Sequence, residues 1–541
     1  MDEQKKPLAS DVSPGQPACA CAAPFFRAAA KKTAELLNSP AAGNCFLVLA
    51  VMLILCGLWL IIFRAPTLLE IDSYYHVGVA NIILRHGFIS EFPWTQFSLM
   101  KNFYADKDLL LHLLIVPFAF LIKNPVLAGK FALAFMEAGA LASFAYLLRK
   151  HVNGFLAGLL LILLFTSPIF MIYFLYLRPG TLAALFTVAG MYFMVKKRHW
   201  PVFIIGALFS LAHISSFTLI YFAVMCETVR WLRDREFHVQ IPVFAATGVA
   251  LGLLVHPNCP NNMLVIYVNA FLTPYYAAVD KSINFAGELN ANTTRRALLE
   301  NFPIMAGLAV FIMTGFWNRF RQSTATAIYL CAAGTYMLLA SSSNRFWFPA
   351  EPLMVLALAS LAADRSAAGV KTTRSERINI GLILAVMALL LGYSAKYSKN
   401  YLVSSMNWQK TFNADHEQAA RWMARHLPPG DTVYHANWAD SPHFICLNPA
   451  NRYITVLDPI YTYYWSRQAQ HLMQAIEQGN HPDPHTEIRE TFKARYVFTA
   501  TNTGFYKQIS RDRRFKLLHA SSASAIFELE PPAAPQSKGK N

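Results

Sequence analysis

The residues best placed to do chemistry run Glu70-Ile71-Asp72-Ser73-Tyr74-Tyr75-His76, just beyond the first membrane-length apolar run, residues 45–63. Charged side chains are costly this close to a bilayer, so they are usually there for a task. Two carboxylates and an imidazole arrive together, and Asp106-Lys107-Asp108 follows before the chain turns apolar again. Asp72 and His76 are spaced i, i+4 and would share one face of a helix. Val77 to Leu84 continues with amphipathic spacing, which fits a helix lying on a membrane surface. Asp72, Asp106 and Asp108 are hard oxygen donors. Gathered together they suit Mg2+ or Mn2+, which would neutralise a diphosphate leaving group. The same residues also fit a general base that deprotonates an acceptor, or plain solvated interfacial acids.

Two arginines stand at ends of apolar runs, Arg178 in Arg178-Pro179-Gly180 and Arg345 in Ser343-Asn344-Arg345-Phe346. The guanidinium fork matches phosphate oxygens, so both are candidates to hold a lipid phosphate or diphosphate. A snorkelling interface anchor is the plainer reading of either one alone. Toward the C-terminus, His435-Ala436-Asn437-Trp438-Ala439-Asp440-Ser441-Pro442 follows a strand-like run, with Leu457-Asp458-Pro459 soon after. Trp438 and Asp440, if exposed there, would bind a hydroxylated ligand by stacking and hydrogen bonding. A buried ring and a loop-capping acid fit the same residues. His256-Pro257-Asn258-Cys259-Pro260-Asn261-Asn262 reads as a polar turn, and His213, in an apolar stretch, as a structural histidine.

The elements that must position these groups are mostly membrane helices. The chain has 541 residues, 55% hydrophobic and only 14% charged, whereas soluble domains carry about 25% charged residues. The net charge of +16 comes from 47 Lys and Arg against 31 Asp and Glu. Those basic residues sit largely between apolar runs, as topology determinants do, so no nucleic-acid partner is implied. Candidate spans fall near 45–63, 126–148, 154–175, 180–195, 201–212, 214–229, 241–255, 299–316, 324–341, 347–363 and 378–395. Residues 109–122 are apolar but only 14 long, between Asp108 and Lys123, which fits a re-entrant or juxtamembrane helix. With that stretch not crossing, Lys196, Lys197 and Arg198, the Arg230, Arg233 and Arg235 cluster, and Arg365, Lys371, Arg374 and Arg377 share the side of the N-terminal tail. That is what the positive-inside rule asks. Eleven crossings then leave external loops at 64–108 and 256–298 and place the C-terminal region outside. The runs 201–212 and 214–229 are short and read as half-helices meeting near His213.

Three parts follow. Residues 1–44, rich in Ala, Pro and Ser, read as a disordered cytoplasmic tail, and its Cys19-x-Cys21 lacks the His or Cys partners of a metal site. A tail of that length makes the first apolar run an uncleaved anchor rather than a signal peptide. Residues 45–405 form the transmembrane part. From 406 to 541 the character changes. A polar helix, Asp415 to His426, stops at Pro428-Pro429-Gly430. Strand-like runs at Thr432–His435, Tyr453–Leu457, Tyr496–Thr499 and Ile526–Leu529 then accompany a helical stretch at 466–478. Strands alternating with helices indicate a small α/β domain. The eight cysteines, mostly in the tail or in apolar runs, imply no disulfide framework. The expected fold class is a polytopic α-helical membrane protein of about eleven spans, plus a re-entrant or juxtamembrane helix, with a C-terminal α/β domain.

An anchor span, Ile71-Asp72-Ser73-Tyr74-Tyr75-His76 in the first external loop, about a dozen spans and an external domain opening with Asn437-Trp438-Ala439-Asp440 resemble the GT-C glycosyltransferases. The likeness covers roughly residues 45–530 and is nearest to the oligosaccharyltransferase catalytic subunits, with protein O-mannosyltransferases also similar. The resemblance implies that Asp72 is the catalytic, metal-associated acid of the first loop. It also sets Asn437-Trp438-Ala439-Asp440-Ser441 where that family carries the acceptor motif Trp-Trp-Asp-Tyr-Gly, keeping one Trp and the Asp. Two departures stand out. The family's second acidic motif would fall at Leu177-Arg178-Pro179-Gly180, which has no acid, leaving Asp106 and Asp108 to supply those carboxylates. The second Trp and the Tyr-Gly are also missing. Both count against glycosylation of an Asn-x-Ser/Thr sequon and leave transfer from a polyprenyl-linked sugar in place.

The expectation is therefore an inverting glycosyltransferase of the bacterial inner membrane, N-terminus cytoplasmic and C-terminal domain periplasmic. It would use a polyprenyl-phosphate or diphosphate donor and a periplasmic protein or glycan acceptor. Asp72 is base or metal ligand, Asp106 and Asp108 are metal ligands or supporting acids, and His76 orients or contacts phosphate. Arg178 and Arg345 hold the donor phosphate, while Asn437, Trp438 and Asp440 touch the acceptor. Mg2+ or Mn2+ is the expected cofactor. The rivals are a glycosyltransferase acting on lipid or polysaccharide, and a transporter or flippase of lipid-linked sugars. A transporter would show mid-membrane acids and an internal repeat, which the sequence does not clearly have.

Overall fold

The computed structural model describes residues 39–280, 283–317, 322–369 and 374–530. Most of the expected tail, with Cys19-x-Cys21, and Lys371 lie outside the described residues.

The first apolar run becomes the helix Pro40–Arg64, started by Ser39, whose hydroxyl accepts from the Ala42 amide at 3.1 Å, with Pro40 at the first turn. Asn124 and Pro125 start Pro125–Arg149 in the same way. Among the described residues four helices are long and apolar enough to cross a membrane: Pro40–Arg64, Pro125–Arg149, Asn261–Val279 and Asn344–Ala367. A fifth results if Gly154–Phe165 and Pro168–Phe174, bent by 86°, form one broken span. Pro168 lacks the amide that would continue the first helix. The apolar helices Leu109–Leu121, Gly180–Val195, His199–Ala212, Gln240–Leu254 and Thr324–Ala340 have 13 to 17 residues. At 1.5 Å per residue the longest reaches about 26 Å, short of a roughly 30 Å hydrocarbon core. The eleven-span count thus goes beyond what helix length gives. Asn261–Val279 also falls where an external loop was expected, because the Pro-rich turn at 256–260 starts a helix. The expected break near His213 is present, between His199–Ala212 and Thr218–Asp234.

One helix, Arg374–His426, runs 53 residues without interruption, so the polar stretch from Asp415 is its far end and position 405/406 lies inside it. Beyond it, β1 (Thr432–His435), β2 (Arg452–Tyr453), β3 (Tyr496–Ala500), β4 (Phe515–Ala520) and β5 (Ser524–Leu529) form a sheet in the order β2-β1-β3-β5-β4. β1 lies parallel to β2 and β3, while β5 pairs antiparallel with β3 and β4. The run expected over Tyr453–Leu457 is a strand only at its start, and β4 joins the four strands read from the sequence.

The stretch after the first helix is tied to this sheet. Thr95 bridges Tyr453, and the amides of Gln96 and Phe97 donate to the carbonyls of Tyr453 and Ile454 at 2.8 Å. Within that stretch, Ile71–His86 is a helix, but it does not lie exposed on a membrane surface as its amphipathic spacing indicated. Nine of its sixteen residues are buried, Tyr75 and Val79 among them, and they share a core with Ile445, Tyr453 and Tyr461. Gly78 permits this approach: a Cβ there would lie 3.1 Å from Cys446 Cα, on the helix Ser441–Leu447.

Candidate active site

Glu70 caps the Ile71–His86 helix, its Oε2 accepting from the Ser73 amide at 3.0 Å, and Asp72 lies in the first turn. Negative charge at a helix N-terminus meets the unpaired amides and the positive end of the helix dipole. The sequence thus fixes both carboxylates at one helix end. Ser73 reaches the other way: its hydroxyl accepts from the Leu177 amide at 3.2 Å, which holds the Arg178 turn against this end. Arg178 then forms an ion pair with Asp72, donates to Glu288 at 3.0 Å and lies 3.8 Å from Glu70.

Glu288 comes from a short 3-10 turn, Gly287–Leu289, in a stretch pinned to the Arg345 turn. The Ser343 hydroxyl donates to the Glu288 carbonyl at 2.9 Å, and the Asn344 amide to the Asn290 carbonyl at 3.1 Å. Arg345 Nη2 donates to Glu288 at 3.0 Å, and its Nε is buried without a hydrogen-bond partner. Glu288 therefore joins the two arginines that the sequence offered separately. Burial works to raise the Glu288 carboxyl, but Arg178 and Arg345 outweigh it and hold it down at about 2. Glu70 goes the other way: burial pushes its carboxyl up to about 8, against Arg178 and with help from Asp72. At neutral pH a protonated Glu70 leaves the carboxylates of Asp72 and Glu288 facing two guanidiniums.

A second set adjoins this one. Asp106 accepts from His112 Nδ1 at 2.7 Å, and His112 Nε2 lies 2.8 Å from His76 Nδ1. A carboxylate has no hydrogen to give, so His112 carries one on Nδ1. The other ring nitrogen of His112, Nε2, shares its contact with His76 Nδ1. Burial, His112 and Lys107 hold His76 well below its ordinary value, so its ring is neutral. The Asn258 side chain and the His256 ring grip the Asp106 backbone, which gives the polar turn at 256–262 a positioning task. Lys107 pairs with the buried Asp108 at 2.8 Å and feels the charges of Asp458 and Asp72.

The residues expected to meet an acceptor are placed differently. Trp438 is half-buried, and its indole donates to the Asn284 carbonyl at 3.0 Å, four residues before Glu288. Asp440 is buried and accepts from His416 Nε2 at 2.9 Å, so it is not an exposed acid after a strand. Asn437 caps the turn that holds them, accepting from the Ala439 amide. Asp458 feels the charged cluster from the C-terminal domain: burial raises its carboxyl, against the pull of Arg345 and Lys107.

The metal expectation meets a different geometry. Among the described residues no three His, Cys, Asp or Glu side chains are grouped to hold a cation. Asp72 is taken by Arg178, Asp106 by His112 and Asp108 by Lys107. In this arrangement the three aspartates do not fit Mg2+ or Mn2+. Sequence reasoning missed Glu288, His112 and Lys107 as site residues. His112 interrupts an otherwise apolar run, Leu109 to Ile122, and that is the one mark it left in the sequence.

No family model matches the chain, and no curated protein matches it in sequence. Its fold does match solved structures. The oligosaccharyltransferase of Archaeoglobus fulgidus in the apo form aligns with a TM-score of 0.60 at 13% identity, over 92% of this chain and 75% of that one. The oligosaccharyltransferase AglB from Archaeoglobus fulgidus, in complex with an inhibitory peptide and a dolichol-phosphate, aligns at 0.58 with 12% identity over the same shares. ArnT from Cupriavidus metallidurans bound to undecaprenyl phosphate aligns at 0.55 with 12% identity, over 90% of this chain and 99% of that one. The resemblance read from the first-loop motif thus holds at the level of the GT-C fold.

Proposed function

We propose that this chain is a membrane glycosyltransferase that moves a sugar from a polyprenyl-phosphate or diphosphate donor to an acceptor on the outer side of a bacterial inner membrane. The observation that carries the reading is the chain Asp72–Arg178–Glu288–Arg345, which gathers a first-loop carboxylate and two guanidiniums on a fold shared with proteins captured with polyprenyl phosphates. Arg178 is engaged by acids, so it sets Asp72 in place. Arg345, with its buried Nε unpaired, takes the donor phosphate. The acceptor's O–H or N–H attacks the anomeric carbon while the bond from that carbon to the phosphate oxygen breaks. The electron pair leaves on phosphate, facing Arg345, and Asp72 takes the acceptor's proton. Attack opposite the leaving group inverts the anomeric centre. Trp438, held beside the stretch that carries Glu288, places the acceptor near the donor.

The basic clusters between apolar runs support a cytoplasmic N-terminus and eleven crossings, with some short helices crossing where the bilayer thins or as paired pieces. A phosphatase fused at the C-terminus is then active outside the cell membrane. The transfer reading is tested by binding of undecaprenyl phosphate to the purified chain in detergent. Arg345→Ala weakens that binding about tenfold or more, as expected for one charge-assisted contact to phosphate. Equal binding by both proteins would remove Arg345 from the donor site.

A further inference from the structure

A separate cavity lies between the far end of the Arg374–His426 helix and the C-terminal sheet. It measures about 430 Å3, and its lining includes Trp408, Phe412, Asp415, His416, Asp440 and Glu477. His416 and Asp440 satisfy each other. His416 Nε2 faces Asp440 and Nδ1 faces the Phe412 carbonyl, both at 2.9 Å, so each ring nitrogen has a partner. With Asp440 engaged by His416, the acids left in the lining are Asp415 and Glu477.

Neither remaining acid has a cation, since no Lys or Arg is among the described residues of the lining. Asp415 is only 7% exposed; Ser521 donates to its Oδ1, while Oδ2 is buried with no hydrogen-bond partner. A buried carboxylate oxygen left without a donor is costly unless something fills the role. Burial, reinforced by the charge of Asp440, pushes the Glu477 carboxyl up to about 7, as expected where positive charge is lacking. The wall beside these acids is aromatic. Trp408 stacks on Phe412 at 5.3 Å and Phe412 on His416 at 3.9 Å. Trp408 itself is 59% exposed, a large apolar face open at the mouth.

We propose that this cavity binds an organic cation, with a protonated amine or guanidinium held by Asp415 and Glu477 and its carbon skeleton against Trp408. Carboxylates supply the charge-assisted hydrogen bonds, and the aromatic face attracts a cation as well as apolar carbon. Asn437 and Asp440, the expected acceptor contacts, line the same cavity. As a statement about the acceptor, the proposal rests on the transferase reading; the binding itself is tested without it.

The test is calorimetric titration of the purified full chain in detergent. The cationic probes are Nα-acetyl-lysine methylamide, Nα-acetyl-arginine methylamide and glucosamine; the neutral ones are Nα-acetyl-norleucine methylamide and glucose. At least one cationic probe binds saturably, and its neutral counterpart binds about tenfold weaker or less. Response to the amino-acid amides marks a basic peptide side chain as the source of the cation, and response to glucosamine marks an amino sugar. Asp415→Asn and Glu477→Gln, made separately, each weaken that binding by about tenfold. Glu477→Gln leaves undecaprenyl phosphate binding at Arg345 unchanged, so failure of the donor site shows independently. Saturable binding of cationic and neutral probes alike overturns the proposal. So does the absence of binding by all three cations up to about 10 mM, or binding that survives both substitutions.

Discussion

Two acid-lined regions of this molecule treat charge in opposite ways. Around Arg178, the acids Glu70, Asp72 and Glu288 are matched by two guanidiniums, and one buried proton on Glu70 completes the balance. In the C-terminal cavity His416 engages Asp440, and Asp415 and Glu477 are left without a cationic partner among the described residues of the lining. A matched cluster is a mechanical part: each charge holds another in place, and removing one strands the rest. An unmatched pair is a vacancy for charge, and removing one member relieves the fold. The same kind of substitution should therefore have opposite signs in the two regions.

Arg178→Met is the harshest way to test the contrast. It strands Asp72 and Glu288 beside Glu70, and breaking a buried ion pair by deleting one partner costs about 3–5 kcal/mol. Thermal unfolding in detergent should show a clear fall in stability and yield. An unchanged melting temperature would mean that the acids are solvated and the cluster holds nothing together.

His112→Gln is a milder break in the adjoining set. Glutamine keeps a donor for Asp106 but cannot relay to His76, so His76 loses its orientation while Asp106 stays satisfied. As a positioning residue, His112 should lower turnover about tenfold with little change in stability or donor binding. Loss of fold with no separate kinetic effect would make the ring a packing element only.

Glu477→Gln gives the smallest effect and the opposite sign. The carboxyl sits near 7 in the fold against an ordinary value of 4.5, so the folded protein keeps a proton that the unfolded chain has released. Stability of the native chain therefore falls as pH rises from about 4.5 to 7, by no more than about 1.4 kcal/mol per pH unit. The variant lacks that slope and is slightly more stable at neutral pH. Melting temperatures at pH 5, 6 and 7 check this, and a variant less stable than the native chain at pH 7 would mean that Glu477 is already matched.

How much of this the sequence carried depends on the range of the interaction. Local features were readable. The apolar run at 45–63 became a helix, the break near His213 fell where two short runs met, and the 109–122 run stayed short. The first-loop acids were visible as a group because Glu70 and Asp72 serve one helix end. Arg178 and Arg345 were visible only as isolated ends of runs, because Glu288, which joins them, lies in a stretch with no pattern around it. Distance hid the pairing of Asp72 with a residue 106 positions away. It also hid the burial of the Ile71–His86 helix, since part of its cover, Ile445, Tyr453 and Tyr461, comes from the far end of the chain. β4 was missed because Lys516 and His519 leave it half-exposed, without the alternating or wholly apolar look of its neighbours. Nothing local in the sequence pairs Asp72 with Arg178 or Asp106 with His112.

The central claim is that Asp72, set by Arg178, serves a sugar transfer. The most direct measurement gives purified native protein and Asp72→Asn a lipid-linked sugar extract in detergent and follows loss of the donor. The amide is nearly isosteric, so the variant should still fold and be purified, melting somewhat lower because Arg178 loses one of its charged partners. Its donor consumption should fall at least about 10²-fold, as expected on losing the proton acceptor. Equal consumption by the two proteins would contradict the account. So would passage of lipid-linked sugar across reconstituted vesicles, in both proteins, with no donor consumed by either.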